Sequence, residues 1–480
     1  ERILRAAAQG GSGAQTSLAG IVDMMHDLAK SFDSDSSTSW VVEDPRFLQL
    51  LAQLRDVIDD LYKPRTVSRL VWCFGKLGVG GENVAIVLGH LAAVAVPASL
   101  VCFSSQDLSN TLWGLARLRG SVPGCWYLLE QLALSILEES RQRLPDFTTQ
   151  CLSNSLWSVA KLDLQGAVVR EFSSRCLTEM CSGQRLGDFS TQGLANSLWA
   201  VARLWLGRGV VSAFCEAIAQ ELTPKRLTSF RPQELSIAVW AIAKIVGRGS
   251  NRGINATLKV KTLVLAATDE ASQRLPELSP QSLSNIAWAL IRLELTHHQS
   301  VRAFLAAVAA QAALDLCQFP PQAIANLCWA LCRLGGADEE AAATAFLTAV
   351  AAEVGARVQD FGWQDLAGIM SAMAHAELSY VPEVHAFATA VAVHAGAASC
   401  HEVGTRALLN VALSAARLGV RPVDLWPVAA SISGLFTEAS MGGGGCPLNK
   451  IDYCQWCEVR SHCGLDSWWG PGTCVVVASA

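Results

Sequence analysis

One pattern of apolar and polar positions recurs along most of the chain. Its first clear copy, residues 103–118, reads FSSQDLSNTLWGLARL, and later copies read FTTQCLSNSLWSVAKL at 147–162 and FSTQGLANSLWAVARL at 189–204. Leu108, Leu112 and Leu115 have the spacing that places side chains on one face of an α-helix. Each copy therefore predicts an amphipathic helix of about four turns.

The pattern returns about every 42 residues, which is the period of a two-helix repeat. Apolar segments with helical spacing lie between the copies, such as Trp126–Gln142 and Val210–Leu222, and predict a second helix in each unit. Such pairs bury their apolar faces only by stacking on neighbouring pairs. We therefore predict an all-α fold, a right-handed α-solenoid of about nine helix–turn–helix repeats. The tryptophans that mark the period are Trp72, Trp113, Trp157, Trp199, Trp240, Trp288 and Trp329.

Each copy also begins with residues that favour a helix start. Ser104 is placed to cap the first helix, with Phe103 and Leu108 forming a hydrophobic staple around it. In later copies a proline stands at the first helical position, where the missing N–H costs nothing. These prolines are Pro232, Pro280 and Pro321.

Three regions are predicted along the 480 residues. They are an N-terminal helix with a Ser/Asp-rich linker at 1–44, the solenoid at 45–436, and a Gly hinge with a Cys-rich tail at 437–480. The sequence begins at Glu1 rather than Met, so we expect a preceding segment that includes any targeting peptide. The longest apolar stretch, from Val84 to Phe103, contains His90 and Pro97 and fits a buried second helix, so we expect no membrane association.

Polar side chains of the first helix form a stripe apart from the leucines. Asn110, Trp113 and Arg117 follow Gln106 by 4, 7 and 11 residues, which brings all four to one side of a helix. The same positions recur in the other copies. The candidate site residues on this stripe are Lys76, Gln106, Asn110, Arg117, Gln150, Asn154, Lys161, Gln192, Asn196, Arg203, Gln233, Lys244, Gln281, Asn285, Arg292, Gln322, Asn326, Arg333 and Arg417.

Two interpretations of the stripe stay open at the level of sequence. Gln, Asn and Trp at stacked positions can serve only to pack one repeat against the next. The basic residues can cap their own helices, or they can form a row that follows the phosphates of a single-stranded nucleic acid. The net charge of −5 argues against a histone-like binder but is compatible with a local basic row.

Cysteines are used differently in the body and in the tail. Eleven of the 16 are scattered through helical stretches, where we expect small reduced core residues, and five follow from Cys446 onward. Cys454 and Cys457 have the spacing of a zinc knuckle, with Cys463 nearby, but a second knuckle is absent. We predict no cofactor and no metal, and retain these three only as weak zinc candidates. The sequence contains no recognisable arrangement of catalytic residues, so we expect a protein that is not an enzyme.

The string L-[SA]-N-x-L-W-[AGS]-x-A-[RK]-L resembles the helical repeats of organellar RNA-binding proteins over roughly residues 65–418. It is similar to the octotricopeptide and heptatricopeptide (RAP-associated) repeats, and to the armadillo-like subunits of the trypanosome RNA-editing substrate-binding complex. The period of about 42 is longer than an octotricopeptide unit, and the chain has neither a Pro-Pro-Pro-Glu-Trp-like segment nor a RAP domain.

This resemblance implies single-stranded organellar RNA as the partner, with further RNA-processing or ribosomal proteins. It implies a role in processing, stability, editing or translation of transcripts in a mitochondrion or chloroplast. If one base is read per repeat, the footprint is about eight or nine nucleotides. The alternative is an armadillo/HEAT-like protein–protein scaffold, which could be a subunit of an RNA-processing complex. A zinc-dependent enzyme that uses the tail would need ligands beyond those in the sequence.

Overall fold

The computed structural model describes residues 17–32, 39–57, 63–95, 99–122, 124–247, 258–334, 337–441 and 450–464. These residues are helical without any strand, and consecutive helices pack on one another along the chain, which confirms the prediction of an all-α solenoid. The chain divides into two compact units, Glu1–Leu263 and Val264–Ala480, and the boundary falls within one helix.

Unit 1 contains eleven complete long helices in the described residues. The odd-numbered ones carry the repeated pattern or align with it, and we call them first helices; the even-numbered ones are second helices. Their bounds are α1 Leu18–Lys30, α2 Pro45–Asp56, α3 Pro64–Leu77, α4 Glu82–His90, α5 Ser105–Arg117, α6 Trp126–Ser140, α7 Thr149–Leu162, α8 Ala167–Met180, α9 Thr191–Arg203, α10 Arg208–Glu221 and α11 Pro232–Val246.

Helix α12, Leu258–Gln273, spans the boundary, and the remaining helices belong to unit 2. The same alternation of first and second helices continues there. Their bounds are α13 Pro280–Arg292, α14 Gln299–Leu314, α15 Pro321–Leu331, α16 Ala337–Gly355, α17 Trp363–His375, α18 Pro382–Ala397, α19 Thr405–Arg417, α20 Pro422–Met441 and α21 Lys450–His462.

The first helices start where the sequence predicted. Ser104 accepts from the N–H of Asp107 at 3.2 Å, and the Asp107 carboxylate accepts from the N–H of Ser104 at 3.1 Å. This reciprocal pair satisfies N–H groups that have no partner within a helix. Thr148, Ser190 and Ser279 cap α7, α9 and α13 through their side-chain oxygens as well. Pro232, Pro280 and Pro321 each stand at the first position of their helix.

Within each unit the helices form two layers. First helices pack side by side from α1 to α11 in unit 1 and from α13 to α21 in unit 2, and second helices pack along the other layer. Phenylalanines that are almost fully buried fill the space between the layers, including Phe103, Phe147 and Phe214. The exposed sides of the first helices therefore carry the polar stripe. We call these sides the first-helix face of each unit.

The array continues beyond the recognisable copies of the pattern. Helix α1 packs against α3, and α21 packs against α19 and α20, although neither helix has the full Gln-Asn-Trp-basic pattern. Part of the predicted Cys-rich tail is therefore a packed helix. The predicted linker residues 33–38, residues 248–257 and the Gly run at 442–445 lie outside the described residues. Of the helices that the structure describes, none has the length and apolar character needed to span a membrane.

Candidate nucleic-acid interface

The basic position of the pattern lies at the C-terminal end of each first helix and is mostly exposed. Lys76 is half-buried, whereas the later members are exposed to solvent. In unit 1 these later members are Arg117, Lys161, Arg203 and Lys244, and in unit 2 they are Arg292, Arg333, His375 and Arg417. Because neighbouring first helices pack against each other within a unit, each unit presents one row of cations. A cation at a helix C-terminus is also favoured by the helix dipole.

The tryptophans of the pattern lie between neighbouring first helices and are half-buried. Trp72 and Trp113 have ring centroids 6.1 Å apart, Trp157 and Trp199 are 6.2 Å apart, and Trp288 and Trp329 are 6.4 Å apart. These contacts cross from one repeat to the next, so the rings pack the repeats together. The partial exposure leaves part of each ring at the first-helix face.

Arginine guanidinium groups lie over several of these rings. The distance to the ring centroid is 5.8 Å for Arg117 over Trp113, 5.1 Å for Arg203 over Trp199 and 4.4 Å for Arg333 over Trp329. An arginine over an indole is attracted by the negative face of the ring. The tryptophan thus orients the basic side chain without using its N–H donors.

The glutamines and asparagines of the pattern differ in exposure. Gln106, Gln150, Gln192, Gln233, Gln281 and Gln322 are exposed, whereas Asn110, Asn154, Asn196, Asn285 and Asn326 are half-buried. Gln281 Nε2 donates to Asn285 Oδ1 at 3.0 Å within the same helix. Because Gln precedes the basic residue by eleven positions, the two rows lie about 16 Å apart along each helix.

Carboxylates on the first helices α3 to α19 are confined to the helix starts. They are Asp107, Glu234 and Asp365, each in the first turn and so at the opposite end from the cations. Asp107 and Glu234 are also engaged in caps. The second helices of unit 1, in contrast, carry more carboxylates than its first helices, including Glu138, Glu139, Glu171, Glu179, Glu216 and Glu221. First helices α3 to α11 are therefore poorer in carboxylates than the second helices of this unit.

Several of the candidate cations are partly engaged within the protein. Arg117 Nε donates to the Gly75 carbonyl oxygen at 3.3 Å, and Arg333 Nη1 donates to the carbonyl oxygen of Trp329 at 2.7 Å. Arg417 forms a two-point ion pair with Glu458 of α21, at 2.7 Å and 2.9 Å. Lys161 and Arg203 have no carboxylate within ion-pair distance among the described residues.

A second set of arginines follows the second helices. The sequence repeats Arg-Leu there, at Arg143-Leu144, Arg185-Leu186 and Arg226-Leu227, which predicts cations that complement their own helix ends. Instead, Arg143 donates to the Phe103 carbonyl oxygen at 2.9 Å, Arg226 donates to that of Phe189 at 2.7 Å, and Arg185 donates to that of Phe147. Each therefore satisfies a backbone oxygen of the preceding repeat. The recurrence of Arg-Leu was the available signal, but it did not reveal the partner.

The cysteines separate into buried thiols and exposed ones. Burial raises the pKa of Cys73, Cys176 and Cys215 to about 12, which keeps them protonated as core residues. Cys102 and Cys317 are exposed, so the expectation of core packing is wrong for these two.

The weak zinc candidates of the tail lie on or next to one packed helix, α21. Cys454 is exposed, Cys457 is half-buried and Cys463 is buried, as is Trp456. Among the described residues no three Cys, His, Asp or Glu side chains are grouped to hold a metal.

Comparison with known proteins adds no functional information. No protein-family model matches the chain, and no curated protein matches it. Among solved structures, the chain is aligned with an engineered protein of known crystal structure over 98% of its own length and 100% of that chain, with 13% sequence identity and a TM-score of 0.19.

Proposed function

We propose that this protein binds single-stranded RNA along the first-helix face, and that it supports processing, stability, editing or translation of organellar transcripts. The observation that carries the proposal is the row of cations, one at the end of each of a series of adjacent first helices. Lys161 and Arg203 are its clearest members, because no carboxylate of the described residues pairs with them.

The arrangement suits a single strand for physical reasons. Regularly spaced cations bind successive phosphates without reading sequence, and release of condensed counterions drives the binding. Arginines held over indole rings add planar surfaces on which bases stack. First helices α3 to α19 carry few carboxylates, which lowers the repulsion that a polyanion meets at this face. The resemblance of the repeat to organellar RNA-binding proteins supports RNA as the ligand and an organelle as the location.

Charge reversal tests the proposal. In Lys161→Glu and Arg203→Glu, we expect the affinity for a long uridine homopolymer to fall about tenfold or more near 0.1 M salt. The slope of log K against log salt should fall by about 0.7 for each phosphate that the variant no longer neutralises. Binding is measured by fluorescence anisotropy over a range of salt concentrations. Thermal melting checks that each variant keeps its fold.

Arg170→Glu provides the matched control, because Arg170 is an exposed arginine of second helix α8 in the same unit. It changes the charge equally but lies in the other layer, so we expect normal RNA binding. An equal decrease in all three variants would mean that net charge, not the first-helix face, governs binding. Normal binding by both Lys161→Glu and Arg203→Glu would contradict the proposal. Crosslinking that recovers only protein partners would favour the alternative of an armadillo/HEAT-like scaffold.

A further inference from the structure

The end helices α1 and α21 pack like first helices but present different chemistry. In α21, Trp456 and Val459 are buried, and the His462 ring lies 2.9 Å from the Val420 carbonyl oxygen, so this helix is held firmly against α19 and α20. In α1, the His26 ring lies 5.5 Å from that of Trp72, whose other neighbour in the row is Trp113 of the next repeat. Each end helix therefore occupies the position of a neighbouring first helix.

Helix α21 brings a carboxylate to the end of the cation row in unit 2. Glu458 Oε1 lies 2.7 Å from Arg417 Nε, and Oε2 lies 2.9 Å from Nη2, which is the planar two-point geometry that arginine also uses for phosphate. Arg417 holds the pKa of Glu458 below its usual range, so the pair stays ionised at neutral pH. The Glu458 carboxylate therefore already occupies the edge of the Arg417 guanidinium group that a phosphate would bind.

Helix α1 in unit 1 also carries carboxylates, but it does not reach the cation row. Asp23 Oδ1 lies 2.6 Å from Arg69 Nη1 of α3, and Arg69 stands three residues before Trp72, at the asparagine position of the pattern, whereas Lys76 is the member of the row in α3. The interior first helices differ from α1 and α21 in where their carboxylates lie. Their carboxylates are confined to the first turn, and Lys161 and Arg203 have no acidic partner among the described residues.

We propose that Glu458 is a boundary residue, which ends the cation row of unit 2 by neutralising its last arginine, Arg417. The inference rests on the proposed function. It removes Arg417 from the RNA-binding set that the sequence indicates. In unit 2 the bound strand then stops before α19. A surface ion pair of this kind contributes little to stability, so its carboxylate can be removed while the fold is kept.

Glu458→Gln in the full chain tests the boundary. This substitution keeps the shape of the side chain and removes its charge. Because it frees one arginine for one more phosphate, we expect the affinity for a long uridine homopolymer to rise several-fold near 0.1 M salt, and the salt slope to steepen by about 0.7. Nuclease protection should show a longer protected segment than in the wild type.

Three further variants test whether the effect of Glu458→Gln acts through Arg417. Glu353→Gln removes an equivalent carboxylate from second helix α16, where Glu353 lies 3.2 Å from Arg357, and should leave RNA binding unchanged. Arg417→Gln in the wild-type background leaves the Glu458 carboxylate without its partner, so we expect weaker RNA binding by charge repulsion. Glu458→Gln combined with Arg417→Gln removes both charges of the pair and should bind RNA as the wild type does. Hydrogen exchange across 450–464 reports whether α21 stays packed.

The outcomes separate the two proposals. If the wild type binds RNA but Glu458→Gln binds no better than Glu353→Gln, the boundary is overturned while RNA binding stands. Weaker RNA binding by the double variant than by the wild type also overturns it, because Arg417 would then contact RNA despite its pairing with Glu458. If neither the wild type nor any variant binds RNA, the proposed function itself is wrong and the boundary is overturned with it.

Discussion

At the scale of single residues, the chain uses arginine in two ways that composition does not distinguish. Arg203 is exposed over the Trp199 ring and pairs with no carboxylate of the described residues, which suits an external anion. Arg226 is instead held by the carbonyl oxygens of Gly187 at 3.0 Å and Phe189 at 2.7 Å, and by Glu221 at 2.6 Å. Exposed arginines such as Arg203 belong to the proposed site, whereas arginines such as Arg226 join consecutive repeats.

Arg226→Gln is therefore expected to destabilise the fold. The shorter amide cannot reach both carbonyl oxygens, so charge-assisted hydrogen bonds disappear and the free energy of unfolding falls by ~1–3 kcal/mol. Urea denaturation followed by circular dichroism measures the change. The control is Arg175→Gln, since Arg175 is exposed and pairs with Glu171 along its own helix. A midpoint for Arg226→Gln equal to that of the control would mean that the hydrogen bonds to the carbonyl oxygens contribute nothing.

At the scale of elements, the first helices approach each other closely, and glycine sets the distance between α3 and α5. A Cβ atom added to Gly114 would lie 2.3 Å from the Val71 carbonyl oxygen, and one added to Gly75 would lie 2.8 Å from the Gly114 Cα. The two backbones are therefore in direct van der Waals contact at this crossing. The same closeness brings Trp72 and Trp113 together on these helices.

Gly114→Ala is predicted to lower stability although alanine is the better helix former. The clash with a backbone oxygen forces α3 and α5 apart, at a cost of ~1–3 kcal/mol that exceeds the ~1 kcal/mol gained in helix propensity. Gly209→Ala in α10 is the control, because nothing lies within 4 Å of the added Cβ. Differential scanning fluorimetry should show a lower melting temperature for the first and an equal or higher one for the second. A lower melting temperature for Gly209→Ala than for Gly114→Ala would contradict the close approach of α3 and α5.

At the scale of the whole molecule, packing is mainly between helices that are neighbours in the repeat order. Such a protein is stabilised by each repeat and by its interfaces with adjacent repeats. A destabilising substitution therefore affects mainly its own repeat and the neighbouring ones. The two compact units are consistent with this description, since each has its own run of packed first and second helices. Binding along several repeats would then stabilise the repeats that the ligand covers.

Phe346→Ala in unit 2 tests this locality. Phe346 is fully buried in α16, so the truncation removes ~3–5 kcal/mol of packing energy. We expect faster hydrogen exchange in α14, α16 and α18, whose helices pack on one another, and unchanged exchange in α5 and α7. Leu314→Ala is the control, because Leu314 is 87% exposed. Uniformly faster exchange over both units would indicate a single cooperative unit instead.

The sequence by itself determined the helices, their starts and their period. Capping by Ser104 and the first-turn prolines depend on residues close together in the chain, and so do the leucines of one helix face, which is why the pattern predicts them. It also placed Lys161 and Arg203 at helix ends. The RNA ligand and the organelle follow from the resemblance of the repeat and remain predictions.

Only the tertiary structure decided which side chains meet across repeats. Arg226 and the Phe189 carbonyl oxygen, or Arg417 and Glu458, are about 40 residues apart, and no local propensity links them. Helix α21 lacks the repeated pattern, so its place beside α19 follows from burial of Trp456 and Val459 and not from any motif. Packing thus divided the arginines into those that join repeats, Arg417 with its carboxylate partner Glu458, and those exposed on the first-helix face.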